Sequence, residues 1–403
     1  MKALVKFGLV SLFAILFSCN SNPPKQENEQ TNGAVETEES NAFFVADPQP
    51  VPEVEVQTLE IGSKAPDFNL PGTDGVFHSL SEYDAAKVLV IIFTCNHCPT
   101  AQAYEDRMIA IADAYKEQGV QVVAISPNSP LGLLYEELGY SDLDDDFEAM
   151  VVRAEEKGYN FPYLYDGDDH AVSLEYGPIA TPHAFVFDSD RLLQYVGRMD
   201  DSEKPGTANA EDLRAAIDAV LAGQSVSNPE TKTFGCSTKW AWKTEYKVKV
   251  EKEWAEKPVS LEDIDEAGIQ KLIANDTDKL RLINIWATWC GPCVMEYPSF
   301  IEIHRMYQGR DFEFISLSAD NPQQKEVALK FLEKKNSAVQ NYIFEKDDKY
   351  ALIEAVDPDW QGALPYTLLI EPGGKKLYAK QGIITPHELK RLIVDHPKIG
   401  RYY

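Results

Sequence analysis

Two Cys-x-x-Cys motifs, each placed directly after a short apolar run, constrain the fold more than any other feature of this chain. Cys95 and Cys98 follow the run 88–93, and Cys290 and Cys293 follow a similar run. A buried strand that leads into a helix at such a motif is typical of dithiol–disulfide chemistry. The sequence therefore predicts two redox sites, each at a strand-to-helix junction.

The elements predicted around each motif occur in the same order. In residues 59–225, and again in residues 259–403, a strand, a helix and a strand precede an antiparallel hairpin and a closing helix. This repeated order predicts an α/β fold with two tandem domains, each with a mixed central sheet flanked by helices. Residues 226–258 are predicted to form a connector, and Cys236 lies within it.

An acidic run lies in the middle of the first predicted domain. Ser141 precedes four aspartates within residues 142–146. Ser is a common N-cap residue, and carboxylates are favourable in the first turn of a helix. We therefore expect Ser141 to cap a helix whose first turn holds the acidic run, with a metal site there as the weaker alternative.

The first 58 residues have the composition of an export signal followed by a spacer. Residues 1–19 combine Lys2 and Lys6 with a short apolar stretch that ends in Leu-Phe-Ser and Cys19, which resembles a bacterial lipobox. This pattern predicts a lipoprotein signal peptide with Cys19 as the lipidated residue, and a plain secretory signal is the alternative. Residues 20–58 are polar and poor in large apolar residues, which predicts a disordered tether. Either signal places the protein outside the cytoplasm, in the periplasm or cell envelope, where disulfides persist.

The overall charge restricts the class of partner. The 403 residues carry a formal net charge of -27, which argues against binding to nucleic acid. No metal or cofactor is expected.

The four motif cysteines are expected to have paired roles. A thiolate at a helix N-terminus is stabilised by unpaired backbone N–H groups and by the helix dipole. Cys95 and Cys290 are therefore predicted to be the exposed nucleophiles, and Cys98 and Cys293 to resolve the mixed disulfides. A structural disulfide or half of a zinc site is the alternative for each motif.

The second motif has flanks that point to a known family. Residues 286–293, Trp-Ala-Thr-Trp-Cys-Gly-Pro-Cys, resemble the active site of the thioredoxin superfamily, and specifically its TlpA/ResA-like thiol–disulfide oxidoreductases. The resemblance implies a thioredoxin-like fold from about residue 257 onward. It also implies proton transfer by Glu296 and a cis-proline at Pro365 that lies against the disulfide. The alternative for Glu296 is an exposed helix residue.

The first domain resembles the peroxiredoxin-like redoxins of the AhpC/TSA group. The segments that carry this resemblance are Ala-Pro-Asp-Phe at 65–68, the residues around the first motif at 93–99, Ala-Thr-Pro-His at 180–183, and Gly-Cys-Ser-Thr-Lys-Trp at 235–240. It implies a second thioredoxin-like domain with a cis-proline at Pro182. The peroxiredoxin pattern Pro-x-x-x-Thr/Ser-x-x-Cys is absent before Cys95, because residues 90–94 contain no proline. This departure puts peroxidase activity in doubt.

Two further residues bear on the first site. His97 lies between the two cysteines, where an imidazole favours the nearby thiolate, stabilises the reduced form and raises the reduction potential. Of the six cysteines, four form the two motifs and Cys19 is the predicted lipidation site, which leaves Cys236. It is either a small buried residue or a third thiol beside the first site that relays or resolves.

These features predict an extracytoplasmic thiol–disulfide oxidoreductase that exchanges protein disulfides through two sites and relays electrons between them. The expected partners are protein thiols and disulfides, an upstream thiol reductant, and a membrane reached through the N-terminal lipid. The alternatives are a thiol peroxidase with a fused thioredoxin reductant and a lipoprotein that only binds a partner.

Overall fold

The apolar runs before the two motifs are central strands of two separate sheets in the computed structural model, which describes residues 44–401. The strands of this part of the chain are β1 (Asn69–Pro71), β2 (Phe77–Ser79), β3 (Val88–Phe93), β4 (Val120–Ser126), β5 (Tyr163–Tyr165), β6 (Ala180–Thr181), β7 (His183–Phe187), β8 (Leu193–Gly197), β9 (Cys236–Ser237), β10 (Glu262–Ile264), β11 (Leu280–Trp286), β12 (Phe312–Ser318), β13 (Gln340–Phe344), β14 (Tyr366–Ile370) and β15 (Lys376–Gln381). The helices are α1 (Pro99–Tyr115), α2 (Phe147–Lys157), α3 (Ser173–Tyr176), α4 (Glu211–Leu221), α5 (Thr244–Ala255), α6 (Glu266–Ala274), α7 (Gly291–Tyr307), α8 (Lys325–Lys334), α9 (Lys349–Val356) and α10 (Pro386–Val394).

The two large sheets share a core of five strands in the same order, and the second has β10 as an additional edge strand. The first has the order β5-β4-β3-β7-β8, and the second has the order β10-β13-β12-β11-β14-β15. In each sheet the strand before the motif pairs in parallel with the next strand on one side and antiparallel with the hairpin on the other. The predicted fold class is therefore confirmed: two tandem thioredoxin-like α/β units with mixed sheets.

Strands β3 and β11 are buried on both faces of their sheets, which explains the continuous apolar runs. In β3, Val88, Val90 and Ile92 enter one core cluster, while Leu89 and Ile91 enter the cluster on the opposite face. Such strands cannot alternate apolar with polar residues, because helices or loops cover both surfaces. None of the helices between residues 44 and 401 combines the length with the apolar composition that a membrane crossing requires.

The start of the described chain differs from the prediction. The predicted signal peptide, Cys19 and most of the predicted tether lie outside the described residues. The prediction of disorder is wrong for residues 44–58, which form no helix or strand but are held by contacts with the first domain. The backbone N–H of Gln49 donates to the backbone oxygen of Asp168 at 2.8 Å, and the Phe44 ring packs edge-on against Phe147 at 4.9 Å between centroids. These long-range contacts stabilise a segment whose composition alone predicts disorder.

The acidic run does not form the first turn of a helix, so that prediction is wrong. Helix α2 begins at Phe147, and its N-cap is Asp146, whose side chain accepts from the backbone N–H of Ala149. Ser141 instead accepts from the backbone N–H of Leu143 in a turn. The acidic run forms a loop because cationic side chains from other parts of the chain bind two of its carboxylates.

Two of those carboxylates join the first domain to the second. Asp142 is 2% exposed, and its carboxylate pairs with Arg391 of α10 at 2.9 Å and with Arg401 at 3.0 Å. Asp144 pairs with Lys390 at 2.8 Å. Burial opposes ionisation, but the surrounding guanidinium groups outweigh it and hold the pKa of Asp142 well below its usual range.

The predicted connector is an ordered part of the fold. It contains β9, which pairs with β6, and α5, whose Trp254 is buried and belongs to the core cluster of the second domain. The domain boundaries at residues 59, 225 and 259 stay predictions.

Candidate redox sites

The second motif lies at the N-terminus of α7, directly after β11. Cys290 is the N-cap of this helix and is joined to Cys293 by a disulfide with an S–S distance of 2.03 Å. Cys290 is 5% exposed and Cys293 is fully buried. The prediction of an exposed Cys290 is therefore wrong in degree, because the residue packs into the apolar cluster under the sheet. It is still the more accessible of the two, and its neighbour Trp289 is 60% exposed.

Pro365 occupies the loop that the resemblance predicted. The Leu364–Pro365 bond is cis, and the oxygen of Pro365 accepts from the backbone N–H of Gly382 at 2.8 Å. Ile383, next to Gly382, is 48% exposed. The cis-proline loop is thus hydrogen-bonded to the segment between β15 and α10, and this segment contains the exposed apolar residue Ile383.

Glu296 is not an exposed helix residue. It lies one turn after Cys293 on α7 and is 7% exposed. Its carboxylate accepts from Asn284 Nδ2 of β11 and from the backbone N–H of Ile384, each at 3.2 Å. Burial raises the pKa of Glu296 to about 7, against the smaller opposing effect of these hydrogen bonds. A carboxyl group with this pKa exchanges protons near neutral pH.

The first motif lies between β3 and α1, and its two cysteines are free thiols. Cys95 Sγ lies 3.1 Å from Thr181 Oγ1, and Cys98 Sγ lies 3.2 Å from the backbone oxygen of Thr181. The bond between Thr181 and Pro182 is cis. The structure therefore brings both thiols against the predicted cis-proline loop.

The expected roles of the two first-site thiols do not match their environment. Cys95, predicted as the exposed nucleophile, is 3% exposed, and burial raises the pKa of its thiol. Cys98 is fully buried, but hydrogen bonds from Cys236 and Cys95, together with the charge of His97, outweigh burial and place the pKa of Cys98 well below its usual value. Of the two thiols of this site, Cys98 therefore has the lower pKa.

His97 is held by a partner that the sequence did not indicate. Its Nδ1 lies 2.5 Å from Asp145 Oδ2, and both side chains are buried. Burial disfavours the imidazolium, but the facing carboxylate outweighs it and raises the pKa of His97. The charge of His97 in turn favours the thiolate of Cys98.

Cys95, His97 and Asp145 lie close enough together to suggest a metal site. The carboxylate of Asp145, however, already accepts four hydrogen bonds, from the backbone N–H groups of Asn96 and His97, from His97 Nδ1 and from Asn128 Nδ2, at 2.5 to 2.8 Å. A metal ion would have to displace these donors. The carboxylate therefore serves to orient the loop and the imidazole.

Cys236 lies beside the first site. Strand β9 pairs with β6 so that Cys236 is opposite Thr181, and the backbone N–H of Cys236 donates to Cys98 Sγ at 3.2 Å. Its side chain is half-buried and packs against Cys95 and Cys98. Cys236 is therefore a half-buried residue beside the first site rather than a small buried one, and its role as a third thiol that relays or resolves stays a prediction.

Sequence reasoning missed Asp145, Asn128 and the hydroxyl of Thr181. Asp145 lies 48 residues from His97 in the chain and has the same sequence context as its acidic neighbours. The only available signal was the Thr-Pro pair at 181–182, which marked the loop but not the role of the hydroxyl.

Comparisons with known proteins agree with both resemblances. The model of the AhpC/TSA family matches residues 61–196 and 250–378, once around each motif. The chain is 28% identical over 127 residues to thiol-disulfide oxidoreductase ResA of Geobacillus thermodenitrificans, which covers 32% of this chain and 68% of the relative. It is 31% identical over 108 residues to the ResA of Bacillus cereus, which covers 27% of this chain and 58% of the relative.

The chain is also similar to a protein of known structure. An uncharacterised conserved protein from Geobacillus kaustophilus is 36% identical, with a TM-score of 0.40, over 47% of this chain and 97% of that chain. The two matches of the family model together span more than half of the 403 residues. The chain therefore belongs to the AhpC/TSA family.

Proposed function

We propose that the protein is an extracytoplasmic thiol–disulfide oxidoreductase whose second domain exchanges disulfides with partner proteins. One observation carries the proposal: the Cys290–Cys293 disulfide lies at the N-terminus of α7, with Trp289 exposed beside it. A helix N-terminus stabilises the thiolate that the reaction needs.

The reaction begins from the reduced pair. The Cys290 thiolate attacks one sulfur of a partner disulfide, and the other partner sulfur leaves as a thiolate. Cys293 then attacks Cys290 Sγ, the mixed disulfide breaks, and the partner is released as a dithiol. Two electrons pass to the partner, and the enzyme is left with the Cys290–Cys293 disulfide seen in the structure.

Glu296 supports the second step. Cys293 is fully buried, so its thiol has no direct route for its proton to bulk water. A carboxyl group one turn further along α7 with a pKa of about 7 accepts this proton near neutral pH. Asn284 and Ile384 hold the carboxylate by hydrogen bonds and keep it on the inner side of the helix.

The first domain supplies a second redox pair of higher potential. Asp145 favours the protonated imidazole of His97, and the positive charge of His97 lowers the pKa of Cys98 and thereby stabilises the reduced site. A more stable dithiol form means a more oxidising disulfide, with about 30 mV for each 1.4 kcal/mol. We infer that the reduced Cys290 and Cys293 pair reduces the Cys95–Cys98 disulfide. An upstream thiol reductant then reduces the resulting Cys290–Cys293 disulfide.

The N-terminal sequence supports an extracytoplasmic location. Lipidation of Cys19 would anchor the chain to a membrane of the cell envelope, in a compartment where disulfides persist. Metabolic labelling with a fatty acid tests this step. Label is expected in the wild-type protein and absent from a Cys19→Ala variant, and equal labelling of the two contradicts it.

Trapping tests the exchange activity. A Cys293→Ser variant of the full chain lacks the thiol that releases the partner, so mixed disulfides through Cys290 should accumulate and disappear on treatment with dithiothreitol. The matched control, Cys290→Ser with Cys293→Ser, should trap nothing at the second site. If the single variant traps no protein, and both wild-type pairs resist dithiothreitol until the fold melts, the protein is a binding lipoprotein instead.

A further inference from the structure

The chain fills the groove beside the cis-proline of its own first domain. Strand β9 runs antiparallel to β6, with Cys236 opposite Thr181 and Ser237 opposite Ala180. Thr233 Oγ1 extends the contact by donating to the oxygen of Pro182 at 2.9 Å. An extended peptide that binds at a free strand edge makes main-chain contacts of the same kind.

Gly235 permits this close approach. Its φ is +134°, and a Cβ at this position would lie 2.0 Å from the backbone oxygen of Thr181. Any other residue would push β9 away from the loop. The glycine therefore fixes how deeply the strand enters the groove.

The second domain leaves the corresponding position open. Leu364, which precedes the cis-proline Pro365, takes part in none of the strand pairs or bridges formed within residues 44–401. The two sites thus differ in one respect that matters for substrates: a strand of the chain itself pairs beside the first cis-proline, and no strand within residues 44–401 pairs at Leu364.

Cys98 is the central sulfur of the first site. It lies within hydrogen-bonding distance of the Cys236 backbone N–H, and it interacts with the thiols of both Cys95 and Cys236. Cys236 is the most accessible of the three cysteines, because Cys95 and Cys98 are buried. A thiol from solution can therefore reach the sulfur of Cys236 more easily than the sulfurs of Cys95 and Cys98.

We propose that residues 235–237 form a built-in substrate strand and that Cys236 exchanges disulfides with Cys98. This proposal rests on the redox role given above to the first pair. The Cys236 thiolate attacks Cys98 Sγ of a Cys95–Cys98 disulfide, the Cys98–Cys236 bond forms, and the Cys95–Cys98 bond breaks.

The step balances without an external oxidant. Cys95 leaves with the electron pair and takes up the proton that Cys236 lost, and the Thr181 hydroxyl lies 3.1 Å from its Sγ to stabilise the leaving sulfur. A partner thiolate then attacks Cys236 at the surface, and Cys98 is the leaving group. The first domain thus exchanges with thiols that reach Cys236 and does not bind an extended protein segment in its groove.

Disulfide mapping of the full chain tests the proposal. The experiment uses a Cys290→Ser, Cys293→Ser background, so that the second domain cannot rearrange the first site. After mild oxidation and alkylation, trypsin places Cys95 and Cys98 in peptide 88–107 and Cys236 in peptide 233–239. With Cys95→Ser added, the two peptides should be recovered as a linked pair, and with Cys98→Ser added they should not.

The outcomes separate this inference from the proposed function. If peptide 233–239 is recovered alkylated and unlinked in the Cys95→Ser variant, while the Cys95–Cys98 disulfide forms in the parent, the built-in substrate strand is wrong and the first pair stays redox-active. If no disulfide forms among the three cysteines, the redox role of the first domain is itself wrong.

A backbone variant tests the role of the groove. Gly235→Val places a side chain against Thr181, so the Cys98–Cys236 link should be lost in the Cys95→Ser variant, while the Cys95–Cys98 disulfide should still form when all three cysteines are present. Gly206→Val is the matched control, because Gly206 also has a positive φ but has open space around its Cβ position. Linkage in Gly235→Val at the rate of the control would overturn the proposal.

Discussion

His97 Nδ1 lies 2.5 Å from Asp145 Oδ2 in the buried interior of the first domain, and this carboxylate favours the protonated imidazole of His97, which precedes Cys98 in the chain. The carboxylate raises the pKa of His97, and the imidazolium helps to lower the pKa of Cys98. The difference that we propose between the two redox sites originates here, because the second motif has Gly291 and Pro292 at the corresponding positions.

Removing the charge of Asp145 should therefore make the first site more reducing. In Asp145→Asn the pKa of Cys98 is expected to rise, and the potential of the pair should fall by about 30 mV for each tenfold loss of thiolate stability. Thiolate absorbance against pH measures the first quantity, and equilibration with dithiothreitol measures the second. Asp144→Asn is the control, because Asp144 pairs with Lys390 rather than with His97. Equal changes in both variants would contradict this role.

Glu296→Gln should remove an ionisation near neutral pH from the reaction of the second domain. Loss of a positioned proton acceptor typically slows a step by about a hundredfold or more, so the release of mixed disulfides should slow and lose its inflection near pH 7. Stopped-flow reduction of a protein disulfide across the pH range measures this. Glu302→Gln, on the same helix, should keep the inflection. If Glu296→Gln keeps it too, Glu296 is not the acceptor.

The same carboxyl group predicts a pH effect on stability. Burial raises the pKa of Glu296 to about 7, so between its ordinary value and pH 7 the native state holds a proton that the unfolded chain has lost. The free energy of unfolding contributed by this group therefore falls as the pH rises through that window. Glu296→Gln should flatten this slope in urea unfolding at several pH values, and an unchanged slope would show that the native carboxyl is ionised there.

The ion pairs of Asp142 should stabilise the contact between the domains. Asp142→Asn leaves the cations of Arg391 and Arg401 without their buried partner, and breaking such a pair costs about 3 kcal/mol. Because the pKa of Asp142 is depressed, this stabilisation is complete above the usual carboxyl pKa and is lost as the pH falls below it.

Urea unfolding followed by tryptophan fluorescence measures this effect. Asp106→Asn is the matched control, since Asp106 is exposed and its contact with Lys157 is 3.9 Å long, and it should change stability by less than about 0.5 kcal/mol. A loss in Asp142→Asn no greater than in the control would mean that the ion pairs contribute nothing.

Peroxide should be a poor substrate. The thiolate is the reactive form of cysteine, and burial raises the pKa of the Cys95 thiol at a site that is 3% exposed. Wild-type protein and Cys95→Ser are therefore expected to consume hydrogen peroxide at the same low rate in the presence of dithiothreitol. Rapid consumption that depends on Cys95 would instead support the thiol peroxidase with a fused reductant.

Local patterns predicted much of this molecule, and long-range contacts account for what they missed. The runs in β3 and β11 indicated buried central strands because both faces of these two strands are covered, and the Thr-Pro and Leu-Pro pairs marked the two loops that contain cis bonds. The role of Asp145 depends on a partner 48 residues away, which no local pattern encodes.

The same reason explains the other differences. Residues 44–58 are polar enough to predict disorder, yet the first domain provides the hydrogen bonds and rings that hold them. The exposure of Cys95 was predicted from its position at a helix N-terminus, but the loop at Thr181 and strand β9 cover the site. Both contacts join segments that are far apart in the chain.

The difference in potential between the two pairs is the central claim, and a redox titration of each pair in the full-length chain tests it most directly. Cys290→Ser with Cys293→Ser isolates the first site, and Cys95→Ser with Cys98→Ser isolates the second. Equilibration in graded dithiothreitol buffers, followed by alkylation and mass measurement, gives each potential. The account predicts that the pair of Cys95 and Cys98 has the less negative value. Equal potentials, or the reverse order, would contradict it.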